Sequence, residues 1–265
     1  MTKIEQTLST GLIIRQDFRD SVRFIMFDID IDGWPVDLYP YATEGGTAFI
    51  VMYRKRYFAV TCAHVLKGFH GKNLLITEKR FGCYKSPVRS IYFIDDPNGA
   101  AIDSDICDVA IIEFCASADA TYFNDLAYII DKNTVGTSDV GHNLFVNGVI
   151  KDISQIVGKT VTPMFTLMEF IDLGCHPYDV ILRKAKAKYE AITFHRITGI
   201  SGSPVYNNTN QRLCGMVARG SLDSDGNANI QYIDITDIVH ILDAIINGHE
   251  RADYKKITKI PPFVA

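Results

Sequence analysis

Apolar residues come in short β-rich runs, separated by Gly, Asn, Asp and Pro: RFIMFDIDI, GTAFIVMY, RYFAVTCA, NLLIT, SIYFI, DVAIIEF, HNLFVNGVI, DVILRKA, RLCGMVARG and NIQYIDI. Their length and β-branched content read as strands. Recurring from end to end, they predict an all-β architecture. TAFIVMY and RYFAV, joined by Arg54-Lys55-Arg56, read as a hairpin, and so do CGMVARG and NIQYIDI across SLDSDGNA. The clearest helix pattern has Thr236 as N-cap, Ile238, Ile241, Leu242 and Ile245 on one face, and Asn247-Gly248 as the stop. A brief helical turn is expected at TCAHVLKG. The least strand-like zone, about residues 116 to 140, reads as a connection between two halves, and His249 to Ala265 as an extended tail.

Composition adds exclusions. The chain has 265 residues, 47% of them hydrophobic and 22% charged, which fits one large domain or two packed half-domains. Net charge is -4 with scattered Lys and Arg, so no nucleic-acid partner is expected. The strip RKAKAKYE reads as a solvated strand face. No apolar run approaches the ~18 residues of a membrane span. The segment MTKIEQTLSTGLIIRQDF lacks a secretory pattern, so a cytoplasmic location and no membrane partner are expected. The six cysteines sit mostly in apolar runs and are expected as free thiols.

Three places together carry chemistry. A hydroxyl nucleophile needs a base, a carboxylate that orients the base, and donors for the developing oxyanion. His64, at the end of the apolar run YFAVTCA, is the candidate base. Asp108, directly before the apolar run VAIIEF, is the candidate carboxylate, with Asp103 and Asp105 as rivals farther from that run. Ser201 in GISGSPV is the candidate nucleophile, with Gly199 and Gly202 permitting a bend that aims the Gly199 and Ser201 amides inward.

GTAFIV with YFAVTCAHVL, then CDVAIIEF, then GISGSPV with LCGMVARG, resemble the trypsin-like (chymotrypsin-fold) serine proteases over about residues 20 to 247. The order His, Asp, Ser fits that group. The resemblance implies two packed antiparallel six-stranded β-barrels followed by a C-terminal helix, with the site between the barrels. It divides the chain into an extension (1–19), a first barrel with His64 and Asp108 (20–125), a second barrel and helix with Ser201 (126–247), and a tail (248–265). It implies His64 as general base and then acid, Asp108 as its orienting partner, Ser201 as the acylated nucleophile, and Gly199 with Ser201 as the oxyanion hole. Ala218, Arg219 and Gly220 would line the substrate, with His195 near the base of the specificity pocket. Since His195 is not an acid, a trypsin-type Arg/Lys preference does not transfer. Digestive members carry an aspartate where this chain has Ile200, so activation through a newly cut amino terminus is not expected. Val65 stands where those members have a cysteine, which fits a disulfide-free intracellular bacterial or viral type.

The implied function is a serine endopeptidase without a cofactor, cutting a protein or peptide substrate, a dedicated protein among the candidates, with a regulatory or effector partner as one candidate for its control. A catalytically silent peptide-binding module is the alternative. No metal site follows from spacing along the chain. DIDIDG lacks the Glu that a calcium loop needs, with Tyr39 at that position. DSDGNAN reads as turn chemistry. Cys175-His176 has no second Cys/His pair at ligand spacing. VGKT has Ile153 where a phosphate loop has glycine.

Overall fold

The computed structural model describes residues 6–7, 13–28, 43–66, 74–77, 84–85, 88–95, 108–115, 126–151, 154–157, 160–176, 179–188, 197–252 and 255–260. The first sheet is built from β1 (Val22–Asp28), β2 (Thr43–Tyr53), β3 (Arg56–Cys62), β4 (Leu74–Thr77), β5 (Val88–Asp95) and β6 (Val109–Phe114). They pair in the order β4-β1-β2-β3-β6-β5. The β2–β3 hairpin turns on Arg54 and Lys55, with φ of 46° and 64°, and pairs Tyr53 with Arg56. Two consecutive left-handed residues match the twist of the flanking strands.

The second sheet contains β7 (Asn143–Val149), β8 (Phe165–His176), β9 (Asp179–Ala187), β10 (Pro204–Asn207), β11 (Arg212–Leu222) and β12 (Ala228–Asp234). It closes as a barrel in the order β7-β8-β9-β12-β11-β10. This is the all-β, two-sheet architecture with a C-terminal helix that the sequence led us to expect. The first sheet differs in one respect, since among the described residues it does not close on itself. Its β5 edge is taken instead by β13 (Lys255–Ile260), which pairs Ile257 with Ile94. Lys255–Ile260 of the tail is therefore part of the first sheet, and Ile257 is buried there.

Helix α2 (Ile235–Ile246) buries the expected face of Ile238, Ile241, Leu242 and Ile245. Its N-cap is Asp234, not Thr236: the Asp234 carboxylate accepts the Thr236 N–H at 2.9 Å, placing Thr236 inside the first turn. The short α1 (Gln16–Asp20) buries Phe18, whose ring lies 4.8 Å from that of Tyr206, so this end of the chain packs on the second barrel.

The strip expected as a solvated face is partly inward-facing. Arg183 donates to the fully buried Asp172 at 2.8 Å, and Lys188 donates to Glu169 at 2.7 Å. Tyr232 donates to the same Asp172 oxygen, and burial together with neighbouring Cys214 and Asp172 pushes its phenol well above the usual range. Each half has its own core, and a third lies between them, where Phe49, Phe58, Val60 and Cys62 meet Tyr206, Met216, Ala218 and α2. Among the described residues no helix is long and apolar enough to cross a membrane. Cys62, Cys115, Cys175 and Cys214 are free thiols.

Candidate active site

β3 is almost wholly buried, and it delivers His64 onto the 3-10 turn Ala63–Leu66 at its end. Asp108 directly precedes β6, which pairs with β3 through Val109 and Cys62. Adjacent strands thus present both side chains at one sheet end. Asp108 Oδ2 lies 2.6 Å from His64 Nδ1, and Oδ1 accepts the His64 backbone N–H at 2.9 Å. Two bonds to one carboxylate fix both ring orientation and tautomer. The His64 side chain is 47% exposed against 16% for Asp108, so the acid is shielded while the ring remains accessible. Nε2 has no hydrogen-bond partner among the described residues. Asp103, Asp105 and His195 lie outside the described residues.

Ser201 sits on the turn that leads into β10. Gly199 and Gly202 have φ of +96° and +84°, a region that side chains disfavour. Space demands glycine as well, since a Cβ on Gly199 would lie 2.8 Å from the Val149 carbonyl oxygen, and one on Gly202 would lie 2.1 Å from the Thr47 carbonyl oxygen. The peptide planes around Ser201 are tied from behind. The Thr198 carbonyl accepts the Lys151 N–H at 3.1 Å, and the Ile200 carbonyl accepts the Ser203 N–H at 2.9 Å. In a trans peptide the N–H points opposite its C=O, so these bonds turn the Gly199 and Ser201 amides away from the supporting chain. Among the described residues neither amide, nor the Ser201 hydroxyl, has a hydrogen-bond partner.

The turn and the His64 strand meet at one atom. The Val217 carbonyl of β11 accepts the Gly202 N–H at 2.8 Å and the Cys62 thiol at 3.1 Å. Gly202 follows Ser201 directly and Cys62 lies two residues before His64, so this junction holds the two halves of the site against each other.

Solved structures of known proteins share this fold. The scabies mite inactivated protease paralogue S-I1 superimposes with a TM-score of 0.56 at 13% identity, over 93% of this chain and 100% of that one. Neuropsin, a serine protease expressed in the limbic system of mouse brain, gives 0.55 at 13% identity, over 87% of this chain and 96% of that one. The thermostable serine protease AL20 from an extremophilic microorganism gives 0.51 at 11% identity, over 84% and 95%. The fold is the chymotrypsin-like double barrel. No protein-family model matches the chain, and no curated protein matches it in sequence.

Within the double barrel, β11 continues past the Val217 junction through Ala218, which is buried, to Arg219 and Gly220, which are exposed. A Cβ on Gly220 would lie 3.2 Å from Ile200 Cδ1, so this stretch runs beside the nucleophile turn. Its β12 side is paired, but beyond Met216 its other side has no strand partner among the described residues.

Sequence reasoning missed Thr47 and Thr61. The Thr47 hydroxyl donates to the Gly199 carbonyl at 2.7 Å and accepts the Val149 N–H at 2.8 Å, while Thr61 donates to the Thr47 carbonyl at 2.7 Å. A hydroxyl inside an otherwise apolar strand was the one available signal, because a buried hydroxyl needs a partner.

Proposed function

We propose that the chain is a serine endopeptidase. The observation that carries this reading is the junction at Val217, which holds a paired His64–Asp108 against a serine turn whose amides are left open. His64 Nε2 takes the Ser201 proton as Oγ attacks the scissile carbonyl carbon. The Gly199 and Ser201 N–H groups donate to the oxygen that gains charge, each worth roughly 100- to 1,000-fold in rate. Collapse of the tetrahedral intermediate breaks the C–N bond, and His64 passes its proton to the leaving amine. Water, deprotonated by His64, then releases the acyl group. Asp108 keeps the proton on Nδ1 so that Nε2 faces the reaction. The side of Ala218 to Gly220 that has no neighbouring strand among the described residues suits an extended substrate backbone, added as one more strand.

The silent-module reading keeps one specific point in its favour, since the scabies mite neighbour is by its own name inactivated. A fluorophosphonate probe separates the two. Wild type is expected to take the label and Ser201→Ala to take none, with Ser201→Ala or His64→Ala lowering peptide turnover by roughly four to six orders of magnitude. A folded wild type that neither labels nor cuts a peptide library defeats the endopeptidase reading.

A further inference from the structure

Cys62 ends β3, is fully buried, and plays no part in the proposed chemistry. Its Sγ, a ring nitrogen of His64 and a carboxylate oxygen of Asp108 nevertheless all lie within 4.8 Å of one another. The ring nitrogen on the Asp108 side is Nδ1, 2.6 Å from Oδ2. Thiolate, imidazole and carboxylate are donors suited to zinc, with bonds of about 2.3 Å to sulfur and about 2.0–2.2 Å to nitrogen and oxygen. Tetrahedral bonds of those lengths separate nitrogen from oxygen by roughly 3.3 Å and sulfur from either by roughly 3.5 Å. No two of the three donor atoms are therefore more than about 1.3 Å farther apart than in that arrangement.

We propose that Cys62, His64 and Asp108 form a reversible Zn²⁺ site that switches the active site off. Binding of the ion does not depend on the protease reading; only its inhibitory consequence does. The thiol gives its proton to solvent and the imidazole proton moves from Nδ1 to Nε2, so one proton leaves per ion and no electron is transferred. Thiolate and carboxylate together balance the dication, which suits a largely shielded position. Once Nε2 carries the proton it has no lone pair for the Ser201 hydroxyl, and the loaded site has no base. Deprotonating Cys62 also gives up its bond to the Val217 carbonyl. Affinity therefore rises with pH, as zinc competes with the thiol proton.

The test titrates wild type, Cys62→Ser and Cys62→Ala with Zn²⁺, and with Cd²⁺, whose thiolate complexes absorb in the ultraviolet. Wild type is expected to hold a tight ion with a cadmium–thiolate band, and Zn²⁺ is expected to displace the Cd²⁺. Both variants should lose that band and at least about 100-fold in affinity, since even groups that only support a ligand cost about 10- to 100-fold. Serine keeps the size and the donor to Val217, giving a folded reference should the alanine variant unfold. Zinc should block fluorophosphonate labelling of wild type at the concentration where it binds, with EDTA restoring it, and should leave labelling of Cys62→Ser untouched there. An unchanged affinity or a persisting cadmium–thiolate band in Cys62→Ser overturns the site, as does labelling that ignores bound zinc. If wild type shows the band that Cys62→Ser lacks but never takes the probe, the metal site stands and the protease reading fails.

Discussion

Thr47→Val tests whether the serine turn is held from across the interface. Thr47 is fully buried in β2, and its hydroxyl serves the Gly199 carbonyl at 2.7 Å and the Val149 N–H at 2.8 Å. Valine keeps the shape and removes both bonds, leaving a carbonyl and an amide without these partners. Each buried orphan costs about 1–3 kcal/mol. Gly199 is only half-buried, so water can reach its carbonyl in part, and the sum expected is about 2–4 kcal/mol. Thr47→Ser keeps the hydroxyl and loses one methyl, for about 1 kcal/mol. Denaturant titration reads the stability, and the second-order rate of fluorophosphonate labelling reads the turn. Valine should lose the full amount and slow labelling of the still-folded protein at least tenfold, with serine recovering most of both. A valine variant within about 0.5 kcal/mol of wild type, the range of an inconsequential surface change, and labelling at an unchanged rate would refute the strut.

Two further expectations follow from the same geometry and from burial. Gly202→Ala puts a methyl group 2.1 Å from the Thr47 carbonyl oxygen at a φ of +84°, so left-handed strain and overpacking together should cost about 2–5 kcal/mol and abolish labelling. Gly226→Ala, at a φ of +79° with nothing within 4 Å, is its control and should lose only the strain of about 1–2 kcal/mol; equal losses in denaturant titrations would mean that crowding at Gly202 is irrelevant. Burial first, and then the hydrogen bond to Glu113, push the Tyr92 phenol up from 10.0 to about 12. Between those values the unfolded chain has lost a proton that the native state keeps, so stability falls as pH rises, by on the order of 2 kcal/mol. Tyr92→Phe should make this alkaline loss shallower; denaturation midpoints from pH 9 to pH 12 that fall as steeply as in wild type would contradict it.

What was legible in the sequence was what local pattern controls. Strand alternation, the Arg54-Lys55 turn and the apolar face of α2 depend on near neighbours, and all could be read. His64, Asp108 and Ser201 could be singled out because each stands at a boundary between an apolar run and a turn. The helix start was misplaced by two residues because Asp234 and Thr236 are both good caps, and only the observed bond to the Thr236 N–H chooses between them. Thr47, Cys62 and Arg183 were not legible as site or network residues. The partners of Thr47 and Cys62 lie far along the chain, as Gly199 is 152 residues from Thr47 and Val217 is 155 from Cys62, and Arg183 shares its Asp172 with Tyr232, 49 residues away. Ligand spacing along the chain likewise cannot reveal a cluster assembled from the ends of two paired strands. The docking of β13 on β5 was hidden because six residues with weak alternation do not say which edge they will join.

Ile200 shows what holds the turn in this chain. It is fully buried and packs with Ile197, Val217 and Ile230 in the core of the second barrel. Burying such a side chain stabilises the turn by about 1.5–3 kcal/mol without placing a charge there. An acid at this position needs a cation to meet it, because an unpaired buried carboxylate is strongly destabilising. An apolar plug needs only space, and two glycines supply it. A Cβ on Gly148 would lie 3.3 Å from Ile200 Cγ2 and 2.2 Å from Ser203 Oγ, and one on Gly220 would lie 3.2 Å from Ile200 Cδ1. Gly148, Ile200, Ser203 and Gly220 are thus one packing unit, in which a change of volume at one position is felt at the others. The order of the serine turn then comes from packing and backbone hydrogen bonds already present in the folded chain, with no ion pair required to complete it.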